Sequence, residues 1–415
     1  MNKKTLRDVN LNGKRVVMRV DFNVPIKGGV ISDDTRVQAA LPSIRYVLEQ
    51  GGSLVLMSHL GRPKGTGYEV EFSLAPVAVH LEKVLGRKVV FAPDCMAADD
   101  VVKSAGAGSV VMLENTRFYA EEEGKPKKTD DMTDEVYAAK KAEMKQKQSV
   151  LAKKLASYGD LYCNDAFGAA HRAHASTAVI CKYIGESVAG FLMEKEIEYL
   201  GGAVEKPARP FVAILGGAKV SDKLAVVKNL LTKVDVLIIG GGMAYTFLKA
   251  KGHEIGKSLC ELDQLDYARE MLADAEKRGV KFLLPLDNVA ADNFAADANT
   301  RLVGNDIPEG WMALDIGPKT TALYAEAIKS AKTVVWNGPM GCFEMPAFAK
   351  GTLGVCQAVA DSDSVSIIGG GDSVSAVNKS GLAPKMTHIS TGGGASLEFL
   401  EGKVLPGVAS LSDKA

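Results

Sequence analysis

No two of the six cysteines, Cys95, Cys163, Cys181, Cys260, Cys342 and Cys356, stand in a C-x-x-C pair. Their scatter argues against a disulfide framework and a zinc site, and for a reducing compartment. Charge of one sign is not in excess either, because 50 lysines and arginines meet 50 aspartates and glutamates. A binder of nucleic acid carries a basic surplus, so nucleic acid is not the expected partner. Runs approaching the roughly 20 apolar residues of a membrane span are absent, and the opening MNKKTLRDVNLNGKRVV has basic residues without the apolar stretch of a secretory leader. The expectation is a soluble, cytoplasmic protein with no membrane partner. Two nucleotide signatures are missing as well. GHEIGKS (252–258) is one residue short of G-x-x-x-x-G-K-[ST], and G-x-G-x-x-G does not occur. A Walker P-loop, a dinucleotide oxidoreductase and a protein-kinase glycine loop are therefore disfavoured.

What is present is a repeating rhythm. The 415 residues exceed one ordinary core, and two domains are expected. Short β-branched runs alternate with longer helical stretches, the pattern of βαβ units and parallel sheets. Strands are predicted at 15–20, 53–58, 88–91, 110–113 and 160–164, and again at 211–215, 234–239, 281–285, 333–336 and 365–368. Between the two sets, MEKEIEYLGGAVEKPARP (193–210) begins as a charged amphipathic helix and ends in Gly-Gly and two prolines, which marks a domain junction near Gly201. The stretch 121–148 is dense in charges of both signs and poor in large apolar residues, so it reads as a solvated insertion ending in an exposed helix.

Ligands of open α/β sheets bind outside the carboxyl ends of the strands. After the first-half strands come DFNVP (21–25), HLGRP (59–63), ENTRF (114–118) and NDAFGAAHRAH (164–174), with SDDTRVQ (32–38) nearby. These supply Asp21, Asn23, His59, Arg62, Arg117, His171, Arg172, His174 and Arg36. Taken singly, each reads as a surface arginine or a satisfied histidine. Four strand ends converging on one pattern point instead to a pocket for a small, highly charged anion. His171 and His174 have the spacing of metal ligands, but no third ligand is suggested, and a structural or substrate-contacting role is expected.

After the second-half strands come glycines: LGGAK (215–219), IGGGMAYTF (239–247), WNGPMGCFE (336–344), IGGGDS (368–373) and STGGGAS (390–396). Glycine lets backbone N–H groups and helix N-termini approach phosphate oxygens, so this half looks built for a nucleotide. VAILGGAKVSDK (212–223) delivers Lys219 and Lys223 just past its glycines. If a helix begins there, its free N–H groups repel those ammonium groups, and an anion is expected opposite them. With no single phosphate loop in the sequence, the phosphates are expected on several glycine turns, with Lys219, Lys223 and a magnesium-competent carboxylate such as Asp372.

RVDFNVP, SHLGRP, NDAFGAAHRAH, ILGGAKVSDK, WNGPMGCFE, IGGGDS and STGGGASLE together resemble the phosphoglycerate kinase family, in order and over nearly the whole chain. The resemblance implies two Rossmann-like domains, each a mostly parallel sheet flanked by helices, joined by a hinge helix. It divides the chain into a 3-phosphoglycerate-binding domain (1–187), a hinge helix and linker (188–207) and a nucleotide-binding domain (208–402), with the tail 403–415 packing back on the first. By motif it places 3-phosphoglycerate or 1,3-bisphosphoglycerate on Asp21, Asn23, Arg36, His59, Arg62, Arg117 and Arg172. ADP or ATP with Mg2+ falls to Gly216, Lys219, Lys223, Asn337, Glu344, Gly370, Gly371, Asp372 and Ser373, the metal to Asp372, and catalysis to Arg36 and Lys219. A monomer is implied. Ser373 stands where threonine is usual, Met340 and Cys342 where small aliphatic residues are typical, and the 121–148 stretch is longer than in many bacterial members. A kinase of another metabolite carboxylate and a non-catalytic two-domain binding protein are the rival readings.

Overall fold

The structure, a computed structural model, describes residues 2–414. The chain divides into two compact units: one holds the residues up to Glu198 and those from Val404 onward, the other Tyr199–Lys403. The division falls inside a helix.

The first unit is built on strands β1 (Arg15–Arg19), β2 (Ser53–Met57), β3 (Val89–Ala92), β4 (Val110–Leu113), β5 (Leu161–Asn164) and β6 (Ser187–Ala189). Their order is β3-β4-β2-β1-β5-β6 and every pairing is parallel. Strands covered on both faces have near-continuous apolar sequences, and SLVLM, VVML and LYCN are buried at every position. Met18, Phe22, Ile44, Leu56, Leu81 and Met112 lie in the core of this unit. Chain order reverses at β1, whose neighbours are β2 and β5. Helix α1 (Thr35–Glu49) follows β1, and α2 (Asp134–Ala156) precedes β5. Helix α3 (Phe191–Glu205) starts where it does because Asp165, just past β5, accepts from Leu192 N at 2.9 Å and Met193 N at 3.2 Å. Burial lifts that carboxyl to about 6. The residues after Val404 tie in through Gly407, whose N–H donates to Ala170 O at 2.8 Å, and through Ser412, which donates to Ser187 O at 2.8 Å.

The second unit contains β7 (Phe211–Leu215), β8 (Val236–Ile239), β9 (Lys281–Leu283), β10 (Asn288–Ala291), β11 (Thr300–Val303), β12 (Met312–Ile316), β13 (Thr333–Asn337), β14 (Val365–Gly369) and β15 (His388–Ile389). Six of them form a second all-parallel sheet, ordered β9-β8-β7-β13-β14-β15. The α/β class with two parallel sheets thus stands as read from sequence, and each of the predicted strands is present with ends shifted by two residues or fewer.

Three features depart from expectation. An antiparallel sheet, β11-β10-β12, interrupts the βα rhythm. Its strands NVAA and TRLV are alanine-rich or exposed, so they carry little strand signal. The charged stretch 121–148 is only partly solvated. Glu122 is wholly buried and Gln148 nearly so, while the exposed part runs from Lys125 through the first turns of α2. Finally, no helix starts directly after Gly216-Gly217. A 3-10 turn over Ser221–Lys223 intervenes, and α4 runs Leu224–Leu230. Among the described residues no helix is long and apolar enough to cross a membrane, and all six cysteines are unpaired.

Candidate active site

Parallel strands deliver their following loops to one edge of a sheet. In the first unit β4, β2, β1 and β5 are consecutive neighbours. Asp21 and Asn23 follow β1, His59 and Arg62 follow β2, Arg117 follows β4, and Arg172 follows β5 beyond the turn Phe167–Ala169. Arg36, in the first turn of α1, donates to Asp21 Oδ2 at 2.8 Å. Gly61 joins two of the loops: its N–H donates to Asn23 Oδ1 at 2.8 Å and its carbonyl accepts from Arg117 Nη1 at 2.8 Å. Arg36, Arg62 and Arg172 are exposed, whereas Arg117 and His59 are buried.

The charge of this cluster rests on arginine. Burial, and then Arg19, Arg117 and Arg36, hold His59 well below the usual imidazole range. Burial and the arginines take His174 down to about 2, and its Nδ1 has no hydrogen-bond partner. Both rings are neutral near pH 7, while guanidinium groups keep their charge and offer planar, forked donors to carboxylate or phosphate. The metal-like spacing of His171 and His174 leads to no metal: among the described residues no group of three or more His, Cys, Asp or Glu side chains could hold one.

Sequence reading missed the layer beneath. Arg19, the last residue of β1, is completely buried and donates to Ser176 Oγ at 2.9 Å, and its Nη2 lies 3.0 Å from His59 Nδ1. Ser176 N donates to Glu122 Oε2 at 3.0 Å, and the Ser176 hydroxyl donates to Glu122 Oε1. The available signal was a second arginine in RVVMR, at the end of the strand that Arg15 opens.

In the second unit β7, β13 and β14 are neighbours, and the expected glycines follow them. Most of these glycines answer to each other. A Cβ on Gly216 would lie 2.0 Å from Pro339 O, and one on Gly338 would lie 2.1 Å from Gly216 O. Backbone packs on backbone here, so a side chain is excluded before any ligand arrives, which is a second reason for glycine at these turns. The open position is the start of α5 (Gly371–Ser380). Its N-cap Gly370 has φ +85°, where a side chain is strained, and a Cβ on Gly371 would meet nothing within 4 Å. Asp372 is exposed in that first turn. Ser373 is buried and its hydroxyl accepts from Gly338 N, which uses the oxygen to hold the β13 turn.

Lys223 is buried and donates to Asn337 Oδ1. Burial lowers its ammonium to about 8, against the opposing pull of Asp222 and Asp372. Lys223, Asn337 and Asp372 therefore share one locality. Lys219 on the turn after β7 and Glu344 on the loop after β13 are exposed. An exposed carboxylate such as Asp372 suits a magnesium ion held chiefly by nucleotide phosphates and water, not by a protein cage.

Two α/β units, one with arginines converging at the ends of four parallel strands and one with lysines and an open helix N-terminus at its strand ends, define a two-domain enzyme of phosphoryl transfer. The chain belongs to the phosphoglycerate kinase family. The family model described as Phosphoglycerate kinase matches residues 6–403. Phosphoglycerate kinases of Clostridium novyi (strain NT) and Clostridium botulinum (strain Alaska E43 / Type E3) are each 54% identical to it, covering 100% and 99% of both chains respectively. The structure of phosphoglycerate kinase from Coxiella burnetii matches with a TM-score of 0.88 at 42% identity, and that from Pyrococcus horikoshii OT3 with 0.79 at 34%, each over 98% of both chains. Neither rival reading, a kinase of another carboxylate or a binding protein without catalysis, is favoured.

Proposed function

We propose that the first unit binds 3-phosphoglycerate through Asp21, Asn23, Arg36, His59, Arg62, Arg117 and Arg172. The second unit binds ADP or ATP through Gly216, Lys219, Lys223, Asn337, Glu344, Gly370, Gly371, Asp372 and Ser373. The observation that carries this reading is the delivery of six of the seven first-unit residues to one edge by four adjacent parallel strands, with Arg36 paired to Asp21.

In one direction a carboxylate oxygen of 3-phosphoglycerate attacks the terminal phosphorus of ATP and the ADP oxygen leaves; in the other, ADP attacks the acyl phosphate of 1,3-bisphosphoglycerate. Both oxygens are anionic already, so no general base is required. Catalysis is positioning plus cation placement on the three equatorial oxygens of a loose transition state. Lys219, exposed and mobile at four carbons' reach, follows the transferring group. Lys223 holds a nucleotide phosphate against Asn337, and Arg36 completes the clamp. Mg2+, held by the phosphates with Asp372, neutralises charge on the nucleotide. The reacting oxygens must come within roughly 3–3.5 Å. A monomer in the reducing cytoplasm fits the six unpaired cysteines.

The test is turnover of 3-phosphoglycerate with Mg-ATP in a coupled assay for ADP, set against glycerate, aspartate and acetate. Turnover confined to 3-phosphoglycerate is expected; equal turnover of another carboxylate, or none of any, would sink the reading.

A further inference from the structure

Beneath the arginine cluster lies a buried line of charge that the roles above leave unused. Glu122, Ser176 and Arg19 are all wholly buried. Arg19 Nε donates to Ser176 Oγ at 2.9 Å, and Ser176 donates through both its hydroxyl and its N–H to the two Glu122 oxygens. At the other end of Arg19, Nη2 stands 3.0 Å from His59 Nδ1. A guanidinium has five N–H donors and nothing to accept with. The His59 nitrogen facing it must therefore be the bare, accepting one. A neutral imidazole with a bare Nδ1 carries its only proton on Nε2. Charging the ring would place a second N–H against Arg19, with Arg117, Arg36 and His174 also close enough to oppose it.

We propose that Glu122, Ser176 and Arg19 form a positioning chain that fixes His59 as the neutral Nε2–H tautomer, so that His59 presents the anionic substrate with a directed hydrogen-bond donor and not a cation. The substrate part of this rests on the proposed contact between His59 and 3-phosphoglycerate. Glu122 balances the charge of Arg19 through Ser176, so the chain supplies orientation without adding net charge. The cations left to the substrate are Arg36, Arg62, Arg117 and Arg172. Glu122 thereby gains a role inside a stretch whose composition reads as solvent-exposed.

The experiment is a long-range proton–nitrogen correlation spectrum of the full-length protein labelled at the ring nitrogens of its six histidines, with His59 assigned by the signal lost in His59→Asn. One protonated Nε2 and one bare Nδ1 are expected, unchanged from about pH 5 to about pH 9. A proton on Nδ1, or a ring that becomes charged within that window, would overturn the proposal. Two variants extend the test. Arg19→Lys keeps a pure donor beside Nδ1 and should preserve the tautomer, with KM for 3-phosphoglycerate changed less than about threefold. Arg19→Met with Glu122→Gln removes both buried charges together, so neither is stranded. In it, His59 should titrate or mix tautomers, and KM for 3-phosphoglycerate should rise about tenfold while KM for ATP holds. A double variant with the wild-type tautomer and KM would reduce the chain to structural filling and end the proposal. A fixed tautomer combined with a KM indifferent to His59→Asn would overturn the substrate contact alone, so the two failures are told apart.

Discussion

The strand ends of the first unit carry Arg62, Arg117 and Arg172, with Arg36 on the first turn of α1; those of the second carry Lys219 and Lys223, among glycines. Two ways of meeting an anion are set side by side. In the first unit side chains do the work: forked guanidinium groups, held by Asp21 and Gly61 and backed by the buried Arg19 and Glu122, match a small anion of fixed shape. In the second, backbone does it. Glycines let three strand ends crowd together and leave the N-terminus of α5 open, and the two lysines complete the set. In the function proposed above, the first unit would read the shape of the small acid and the second would hold the phosphates.

The comparison breaks most severely at Lys219. If that lysine acts on the moving phosphoryl group, Lys219→Ala lowers kcat by at least about a hundredfold with KM for either substrate little changed. A raised KM with kcat intact would make it a binding group like the arginines of the first unit. Next in size is Arg62, exposed at the end of β2. Arg62→Ala should raise KM for 3-phosphoglycerate by roughly ten- to a hundredfold, the loss of a charge-assisted pair, and leave KM for ATP alone. Steady-state kinetics with each substrate varied decides both.

A third change separates the glycines. Gly216→Ala drives a methyl group into Pro339 O, a backbone atom that cannot swing aside. It should destabilise the fold by about 1–3 kcal/mol, read as a lower melting temperature without any ligand present. Gly371→Ala meets nothing within 4 Å, and should leave stability within about 0.5 kcal/mol while weakening ADP binding where the new methyl group faces the phosphates. Equal melting temperatures for the two variants would mean that strand-end packing is not what keeps Gly216.

The sequence displayed the edge of each site because that edge follows from local rules: an apolar run predicts a strand, a parallel sheet puts its loops on one side, and the next few residues line the pocket. Asp21, His59, Arg117 and Arg172 were legible on those grounds alone. What lies beneath was not. Arg19 and Ser176 are 157 positions apart, and Ser176 and Glu122 are 54 apart, so only the assembled sheet shows that one buried charge answers another. Glu122 sits in a run of three glutamates, and composition cannot say which of them turns inward. The packing of the glycines was hidden for a related reason: a glycine that admits a phosphate and a glycine that admits another strand end are identical as letters. Sheet β11-β10-β12 escaped because two of its three strands, NVAA and TRLV, are short and carry little strand signal.

The smallest effect sharpens the contrast through pH. Lys223 is a base whose value in the fold, about 8, lies below the 10.5 of an ordinary lysine, because burial outweighs the pull of Asp222 and Asp372. Between those two values the unfolded chain binds more protons than the folded one, so the free protein gains stability as pH rises through that window, and the cost of the buried charge is present in full below it. A phosphate placed beside Lys223 favours the ammonium form and raises its value. Nucleotide binding near pH 8 must then take up a proton, and by linkage the affinity must fall as pH rises further. KM for ADP is expected to climb several-fold, but less than about tenfold, from pH 7 to pH 9.5. Lys223→Met should bind ADP more weakly throughout and lose the slope. KM for 3-phosphoglycerate should stay flat over the same range, because the first unit relies on arginines that do not titrate there and on histidines already neutral. Calorimetry of ADP binding at pH 8 in two buffers of different ionisation enthalpy reads the uptake directly. A binding heat independent of the buffer, with a KM for ADP as flat as that for 3-phosphoglycerate, would take Lys223 off the phosphates and leave it a partner of Asn337 alone.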